Sequence, residues 1–387
     1  MTSTPPPAAT NNVPVGPIGV ESYPHRLAGH CGSGALRDLL EWAELSWNDQ
    51  PLSEGSVFGL GAGLGFTYLR ADGLGTPFYL VGRTSELTLS LCSRLGIHTT
   101  TQSTDDPAQG WAWLRSELDA GRPLLCWADM SELPYLRVRM QMSRHDIVVT
   151  GYDPATDEVR VIDNDRAEPQ HIPAAALAAA RSSTGFPVPT RHTCYPMRFP
   201  DTLPDQRAAA AVACSQAATA MTDPAQNPSL GVPHIRAGGN GLDGVAAFVA
   251  DLDTWPDTLD PPTSNPAQGL HVALLALAVF IEKAGTGGGL FRRLQAEFLT
   301  DLAELTPHAR PAADAFGELA AQWTSLAASA TTDTAPDTAH ERWHNVRRQA
   351  QRLPRLENDA ADQLHALAAQ LGHTALDHTA PTRPTTP

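Results

Sequence analysis

The stretch HDIVVTGYDPATDEVRVID, residues 145–163, decides the fold class of the first half of the chain. Residues 146–153 and 158–163 are rich in β-branched side chains, and the PATD between them is a good turn sequence. The segment PLLCWAD (123–129), just upstream, has the same strand-like composition. The sequence therefore predicts a hairpin and a further strand, which together favour an antiparallel sheet.

Helical patterns lie mainly ahead of these strands. After residue 31, apolar side chains recur with i, i+3, i+4, i+7 spacing, which is typical of an amphipathic helix. Two more helices are predicted at 85–96 and 106–121, and TPFYLVG (76–82) has the composition of a strand. Helices followed by antiparallel strands predict an α+β domain over residues 21–198.

The second half of the chain has a different character. From Pro204 onward, segments such as GLDGVAAFVADLDTW and LFRRLQAEFLTDLAEL have a helical period and no strand pattern is visible. We therefore expect an all-helical domain over residues 199–375. The ends, 1–20 and 376–387, are rich in Pro, Thr and Ala without apolar periodicity and are predicted to be disordered tails.

Composition excludes several classes of function. The formal net charge of −15 argues against a nucleic-acid-binding protein, because contacts to phosphates need a basic surface. The longest apolar run, 270–281, has 12 residues, whereas a membrane-spanning helix needs about 20. The first twenty residues lack the pattern of a signal peptide. Five scattered cysteines without a CxxC pair indicate reduced thiols, so we expect a cytoplasmic protein that acts without a membrane.

One cysteine stands where a nucleophile is expected. In GHCGSGALRDLLEW (29–42), Cys31 lies at the predicted start of a helix, where the helix dipole favours the thiolate. Its neighbours Gly32, Ser33 and Gly34 are small and leave room for a substrate. The alternative is that Cys31 is a small buried hydrophobe, as most free cysteines are. The remaining cysteines are interpreted as core residues: Cys92, Cys126, Cys194 and Cys214.

A base and an orienting carboxylate follow on the predicted hairpin. His145 stands at the entry of the first strand, where a ring held by the sheet could accept the thiol proton. Asp163 ends the next strand, and hairpin pairing would return it beside His145 to orient the imidazole. The alternative is a hydrogen-bonded strand histidine and a turn aspartate. The sequence predicts Cys31, His145 and Asp163 as a catalytic set.

This arrangement resembles the papain-like cysteine-protease fold, and more closely the butirosin-pathway (BtrH-like) family of acyltransferases. The resemblance rests on five blocks: GHCGSGALRDLL, LSEGSVFGLGAGLGFTY (52–68), GRPLLCWADMSELPY (121–135), HDIVVTGYD with VRVID, and IEKAGTGGGLFRRLQAEFL (281–299). It implies a papain-like domain followed by the helical domain of that family. It also implies an enzyme that takes an acyl group from a carrier-protein thioester through Cys31 and passes it to a small-molecule amine in natural-product biosynthesis.

The same machinery allows other outcomes. Water would make the protein a thioester hydrolase, an internal nucleophile would make it a cyclase, and a peptide substrate would make it a papain-like cysteine peptidase. A noncatalytic binding module is the alternative of a different class. In each case we expect no cofactor of the protein's own, because the phosphopantetheine arrives on the carrier protein.

The substrate-binding residues depart from the papain-like pattern. No glutamine precedes Cys31, so the Cys31 N–H with His25 or His30 is expected to bind the oxyanion. Asp129, in ADMSELPY, either binds the acceptor amine or caps a turn. GTGGG (285–289), followed by Arg292, is a candidate binding site for the phosphopantetheine phosphate. The same segment is a candidate wall of the acceptor site. The alternative is a flexible loop between two helices.

Two further motifs have plainer interpretations. The glycines of FGLGAGLGF (58–66) predict a close-packed loop and not a nucleotide site. HERWH (340–344) matches the zinc-peptidase motif H-E-x-x-H, but its flanks are charged and Glu357 is the one passable third ligand downstream. We therefore predict a solvated helix and no metal. Its arginine-rich continuation to Arg355 is a candidate docking face for an acidic carrier protein.

Overall fold

The structure is a computed structural model that describes residues 16–71, 74, 76–138, 142–185, 187–223, 225, 235–259, 268–332 and 335–379. The predicted tails therefore lie largely outside the described residues. Where they overlap, the first predicted tail contains strand β1 (Ile18–Gly19), and the last helix of the fold continues to Thr379.

Eleven strands are present in the described part of the chain. They are β1, β2 (Leu64–Ala71), β3 (Tyr79–Arg83), β4 (His98–Thr99), β5 (Leu124–Ala128), β6 (His145–Asp153), β7 (Glu158–Ile162), β8 (Gln170–Pro173), β9 (Cys194–Tyr195), β10 (Met197–Arg198) and β11 (Ile235–Asn240).

Thirteen α-helices are present in the same residues. They are α1 (Cys31–Trp42), α2 (Glu54–Leu60), α3 (Leu87–Leu95), α4 (Pro107–Asp119), α5 (Ala174–Arg181), α6 (Gln206–Thr222), α7 (Gly241–Asp251), α8 (Trp255–Thr258), α9 (Gln268–Glu282), α10 (Arg292–Leu305), α11 (Arg310–Thr331), α12 (Ala339–Ala350) and α13 (Leu353–Thr379).

The chain forms two compact units, and each is assembled from segments that are not consecutive in the sequence. Of the described residues, the sheet unit comprises 16–23, Gln102–Ile162 and Glu168–Cys194. The helical unit comprises Pro24–Thr101, Asp163–Ala167 and the residues from Tyr195 onward. A boundary at residue 198 therefore runs through the helical unit, whose first segment carries α1, α2 and α3.

The sheet unit is built on the predicted hairpin. Strands β6 and β7 pair antiparallel with Val148 opposite Ile162, and the sheet order is β8-β7-β6-β5, continued by Cys194 of β9. In β7, Val159 and Val161 are buried while the residues between and before them are partly exposed, which is the alternation of a strand with one face on the core. Helices α4 and α5 cover that core with Leu114 and Leu177.

The helical unit contains a smaller sheet, β11-β2-β3, inside its helices. Buried aromatic side chains fill the space between this sheet and the helices, with Phe66 and Phe248 both against Trp323 and Phe78 stacked on Trp255. Aromatic side chains bury large apolar areas and so dominate the stability of such a core. The fold class is therefore mixed α and β, with a sheet region first and a helical region after it, as predicted.

Two local predictions differ from the structure. Strand β11 lies in the part expected to be all-helical, where it pairs with β2 as an edge strand. The glycine-rich segment 58–66 is not a loop throughout, because Gly59 belongs to α2 and Gly65 to β2. Its close packing is confirmed, since an added Cβ at Gly59 would lie 2.1 Å from the Phe298 ring. None of the described helices has the length and apolar character needed to cross a membrane.

Candidate functional site

Cys31 is the first residue of α1, as predicted, and it differs from the other cysteines. All five cysteines lie in described residues, and Cys31 is partly exposed while the remaining four are buried. Burial raises the pKa of the Cys92, Cys194 and Cys214 thiols to about 12 and also raises that of Cys126. A reactive cysteine must be accessible, and of the five cysteines Cys31 alone is not buried.

His30 is the N-cap of α1, and its ring lies in the protein interior. Its Nδ1 accepts a hydrogen bond from the Ser33 N–H at 3.2 Å, so the ring proton of the neutral form is on Nε2. The ring is 3% exposed and meets Phe58 and Phe291 edge-on, with ring centroids 6.2 Å and 5.3 Å away. The structure thus gives His30 a capping and packing role beside Cys31.

His25 was the second candidate oxyanion donor, and both of its ring nitrogens are engaged. Nδ1 lies 2.7 Å from Asp38 Oδ2, and Nε2 donates to the Arg166 carbonyl oxygen at 2.7 Å. Burial alone would lower the pKa of His25, but these two hydrogen bonds outweigh it and the pKa is raised. Neither nitrogen is left to donate to a substrate, so His25 ties the segment before Cys31 to the segment 163–167.

Asp163 follows β7 directly and belongs to the helical unit, as Cys31 does. Its side chain is 1% exposed, and its Oδ1 accepts the Asp165 N–H at 3.1 Å. The next residue, Asn164, forms two hydrogen bonds with Ala28, three residues before Cys31. The structure therefore places the segment that begins with Asp163 against the residues that precede Cys31.

His145 is the first residue of β6 and belongs to the sheet unit. It is 5% exposed and lies opposite Ala128 of β5 in the register of the sheet. The predicted entry position of this histidine on the hairpin is confirmed. Its action on Cys31 stays a prediction.

Asp129 is held by capping bonds within the sheet unit. Its Oδ1 accepts hydrogen bonds from the Ser131 and Met142 backbone N–H groups and from the Ser131 hydroxyl, and its Oδ2 accepts one from Ser183. Burial alone would raise the pKa of Asp129, but these hydrogen bonds lower it overall. Of the two predicted roles, the structure shows the turn cap.

Glu54, the first residue of α2, is a residue that the sequence analysis missed. Its carboxylate accepts hydrogen bonds from the Gly29 N–H at 2.9 Å, the His30 N–H at 2.8 Å and the Ser33 hydroxyl at 3.0 Å. The S-E-G-S pattern signals a helix start, with Ser53 accepting from the Ser56 N–H. It gives no sign that the carboxylate reaches the residues before Cys31.

Arg292 is not available to bind a phosphate, which corrects the predicted phosphate site. It is fully buried and pairs with Glu357 through Nε at 2.9 Å and Nη2 at 3.0 Å. Its Nη1 donates to the Gly65, Gly82 and Leu290 carbonyl oxygens. A guanidinium with this set of partners joins the small sheet to α13.

The GTGGG loop is tightly bound within the protein and is not an open anion nest. The Gly287 N–H donates to the Gly29 carbonyl, the Gly288 N–H to the Thr286 hydroxyl and the Gly289 N–H to Glu282. These glycines have positive φ, as a turn of this kind requires. The loop lies next to Gly29, and so it borders the segment that leads to Cys31.

The HERWH motif lies on α12 with His340 and His344 exposed and Arg342 and Trp343 buried. The proposed third ligand, Glu357, is paired with Arg292. Among the described residues, no group of three or more His, Cys, Asp or Glu side chains is arranged to hold a metal ion.

The arginines in the second half of α12 and just after it are largely paired with carboxylates of the same chain. Arg347 pairs with Asp253, Arg352 with Glu318 and Arg355 with Asp359. These pairs reduce the positive charge that the predicted docking face would offer to an acidic partner.

Comparison with known families finds two matches. Residues 30–164 match the family model described as butirosin biosynthesis protein H, N-terminal, and residues 175–364 match a domain of unknown function, DUF4872. No curated protein is significantly similar to the chain.

Proposed function

We propose an acyl-transfer function for this chain on the premise that residues 30–164 belong to the family of the butirosin biosynthesis protein H N-terminal domain, followed by a DUF4872 domain. The family name indicates a biosynthetic enzyme of an antibiotic pathway. The proposed reaction moves an acyl group from a carrier-protein thioester to an amine through an acyl-Cys31 intermediate.

The observation that supports this proposal is the environment of Cys31. It begins a capped helix of 12 residues and is partly exposed, whereas the other four thiols are buried and hard to ionise. A helix N-terminus stabilises negative charge, and a thiolate is the form that attacks a carbonyl carbon. The small residues that follow it at 32–34 are themselves buried, so they do not provide the room for a substrate that the sequence suggested.

The chemistry follows in two steps. The Cys31 thiolate attacks the thioester carbonyl, the carbon–sulfur bond to phosphopantetheine breaks, and the leaving thiol takes the proton that His145 holds. The acceptor amine then attacks the acyl-enzyme, His145 takes its proton, and the bond between the acyl carbon and Cys31 Sγ breaks, which restores the Cys31 thiolate and the protonated His145. Asp163 orients the imidazole, and the Cys31 backbone N–H helps to bind the oxyanion.

Single-turnover transfer tests this function. Incubation with an acyl-loaded carrier protein from the same biosynthetic pathway and an amine should yield the amide, and His145→Ala should slow it by about 10² to 10⁴-fold. His171→Ala, which removes an exposed histidine of β8 in the same sheet, is the matched control and should transfer normally. Release of free acid alone would make the protein a hydrolase, and an intramolecular product would make it a cyclase.

A further inference from the structure

The residues just before Cys31 are bound from one side by a single carboxylate. Glu54 accepts the peptide N–H groups of Gly29 and His30 and also the hydroxyl of Ser33, so its two oxygens bind both sides of Cys31 in the chain. Hydrogen bonds to a charged acceptor are about twice as strong as neutral ones. The path of the backbone into α1 is therefore fixed by Glu54.

Glu54 is in turn held by the helices of the second half of the chain. Helix α2 lies against α10 so closely that an added Cβ at Gly55 would lie 2.5 Å from Glu297 Cβ. The hydroxyls of Ser53 and Ser56 both donate to Asp301 Oδ2. The carboxylate that holds the segment before Cys31 is thus anchored on α10.

The same segment is bound from its other side by the GTGGG loop. The Gly287 N–H donates to the Gly29 carbonyl at 3.1 Å, and an added Cβ at Gly29 would lie 2.5 Å from Gly287 Cα. The peptide groups around Gly29 are therefore clamped between Glu54 and Gly287, and both contacts depend on residues in or beside α10.

We infer that Glu54 is a positioning residue for the Cys31 nucleophile, and that the C-terminal helices act on the reaction through it. The catalytic consequence of this inference rests on the proposed function. The contacts from Glu54 and Gly287 to the segment before Cys31 do not depend on that function. Displacing a reacting atom by about 1 Å can cost on the order of 10²-fold in rate. Loss of the clamp should therefore have a larger effect on the rate of Cys31 acylation than on the free energy of unfolding.

The test compares two reactions of the same thiol in the full-length protein. Glu54→Gln keeps the shape but turns an amide NH2 toward a backbone N–H, so one of the two peptide hydrogen bonds is lost. Acylation of Cys31 by a small-molecule acyl thioester should fall by about 10-fold or more, whereas alkylation by iodoacetamide, which needs no orientation, should change by less than about 3-fold. Glu44→Gln removes the same charge from an exposed position just after α1 and should leave both rates unchanged.

A second variant and a second measurement keep the inference testable if the first variant folds poorly or if no thioester reacts. Glu54→Asp retains the charge but is too short to reach both N–H groups, and it should also slow acylation. Hydrogen exchange of the peptide that contains Gly29 and His30 should be faster in either variant than in the wild type or Glu44→Gln. Wild-type exchange in that peptide would overturn the inference whatever the fate of the proposed function, and so would wild-type acylation rates in both Glu54 variants.

Discussion

Asn164 and Ala28 are joined by two hydrogen bonds: the Ala28 N–H donates to the Asn164 carbonyl oxygen at 3.1 Å, and the Asn164 side-chain amide donates to the Ala28 carbonyl oxygen at 2.9 Å. Ala28 lies three residues before Cys31, and Asn164 follows Asp163 directly. This pair links the segment that begins with the proposed orienting carboxylate to the segment that leads to the proposed nucleophile.

Removing the hydrogen bond from the Asn164 side chain to the Ala28 carbonyl oxygen should destabilise the protein modestly. Asn164→Ala leaves the Ala28 carbonyl without that donor and should lower the free energy of unfolding by about 1 kcal/mol. Asn164→Asp places a carboxylate oxygen against the same carbonyl and should cost more than the alanine variant. Urea denaturation measures both, with Asn345→Ala on α12 as a control for loss of a surface amide. Equal stability of all three variants would contradict the importance of the link.

The His25–Asp38 contact should make stability depend on pH. The pKa of His25 is raised above its ordinary value of 6.5 in the folded protein, so folding favours the protonated ring. The stabilisation is fully present below that ordinary value and is lost as the pH rises through the folded-state value. The stability difference between the wild type and His25→Gln should therefore be largest near pH 5.5 and smaller at pH 8.5.

Urea denaturation of both proteins at a series of pH values gives this difference directly. His171→Gln, at an exposed position of β8, should differ from the wild type by the same small amount throughout. A difference for His25→Gln that is constant with pH, or that grows as the pH rises, would show that the ring is not held as a cation.

Breaking the buried pair Arg292–Glu357 should destabilise the protein strongly and should not change the binding of phosphate. Arg292→Met leaves the Glu357 carboxylate buried without its cation and should cost about 3 to 5 kcal/mol. Arg292→Met with Glu357→Gln removes that charge and keeps an acceptor for the Trp323 indole N–H, so it should recover part of the loss. An Arg292→Met protein that unfolds like the wild type but binds a phosphopantetheinylated ligand more weakly would restore the predicted phosphate site.

Chelation should not inactivate the protein. His340 and His344 are exposed one turn apart on α12, and Glu357, the one passable third ligand downstream, is paired with Arg292. We expect no stoichiometric zinc after purification and full activity in EDTA. Activity that is lost in EDTA and restored by zinc would instead favour a metal-dependent reaction.

Local patterns in the sequence predict much of the secondary structure. The β-branched composition and the PATD turn predict the β6–β7 hairpin, and the i, i+3, i+4, i+7 spacing of apolar residues after residue 31 predicts α1. Helix α3 ends at Gly96, which adopts the left-handed conformation that such a helix end requires. Each of these features depends on residues that are close together in the sequence.

The features that were missed depend on partners far apart in the chain. The sequence alone does not show that Arg292 is buried, because its ion-pair partner, Glu357, lies 65 positions later. Glu54 reaches Gly29 across 25 positions, and the peptide groups of Gly287 and Gly29 meet from opposite halves of the sequence. β11 has mostly exposed or partly exposed residues and forms a strand because β2 offers it an edge. One sequence alone shows none of these pairings.

The acylation site itself tests the central claim most directly. The full-length protein is incubated with an acyl thioester, quenched in acid, digested and analysed by mass spectrometry, with Cys31→Ala and Cys92→Ala treated in parallel. We expect one acyl group on the peptide that contains Cys31, an unchanged yield in Cys92→Ala, and no adduct in a folded Cys31→Ala protein. An acyl group on Cys92, Cys126, Cys194 or Cys214, or an undiminished adduct in Cys31→Ala, would contradict the assignment of Cys31 as the nucleophile.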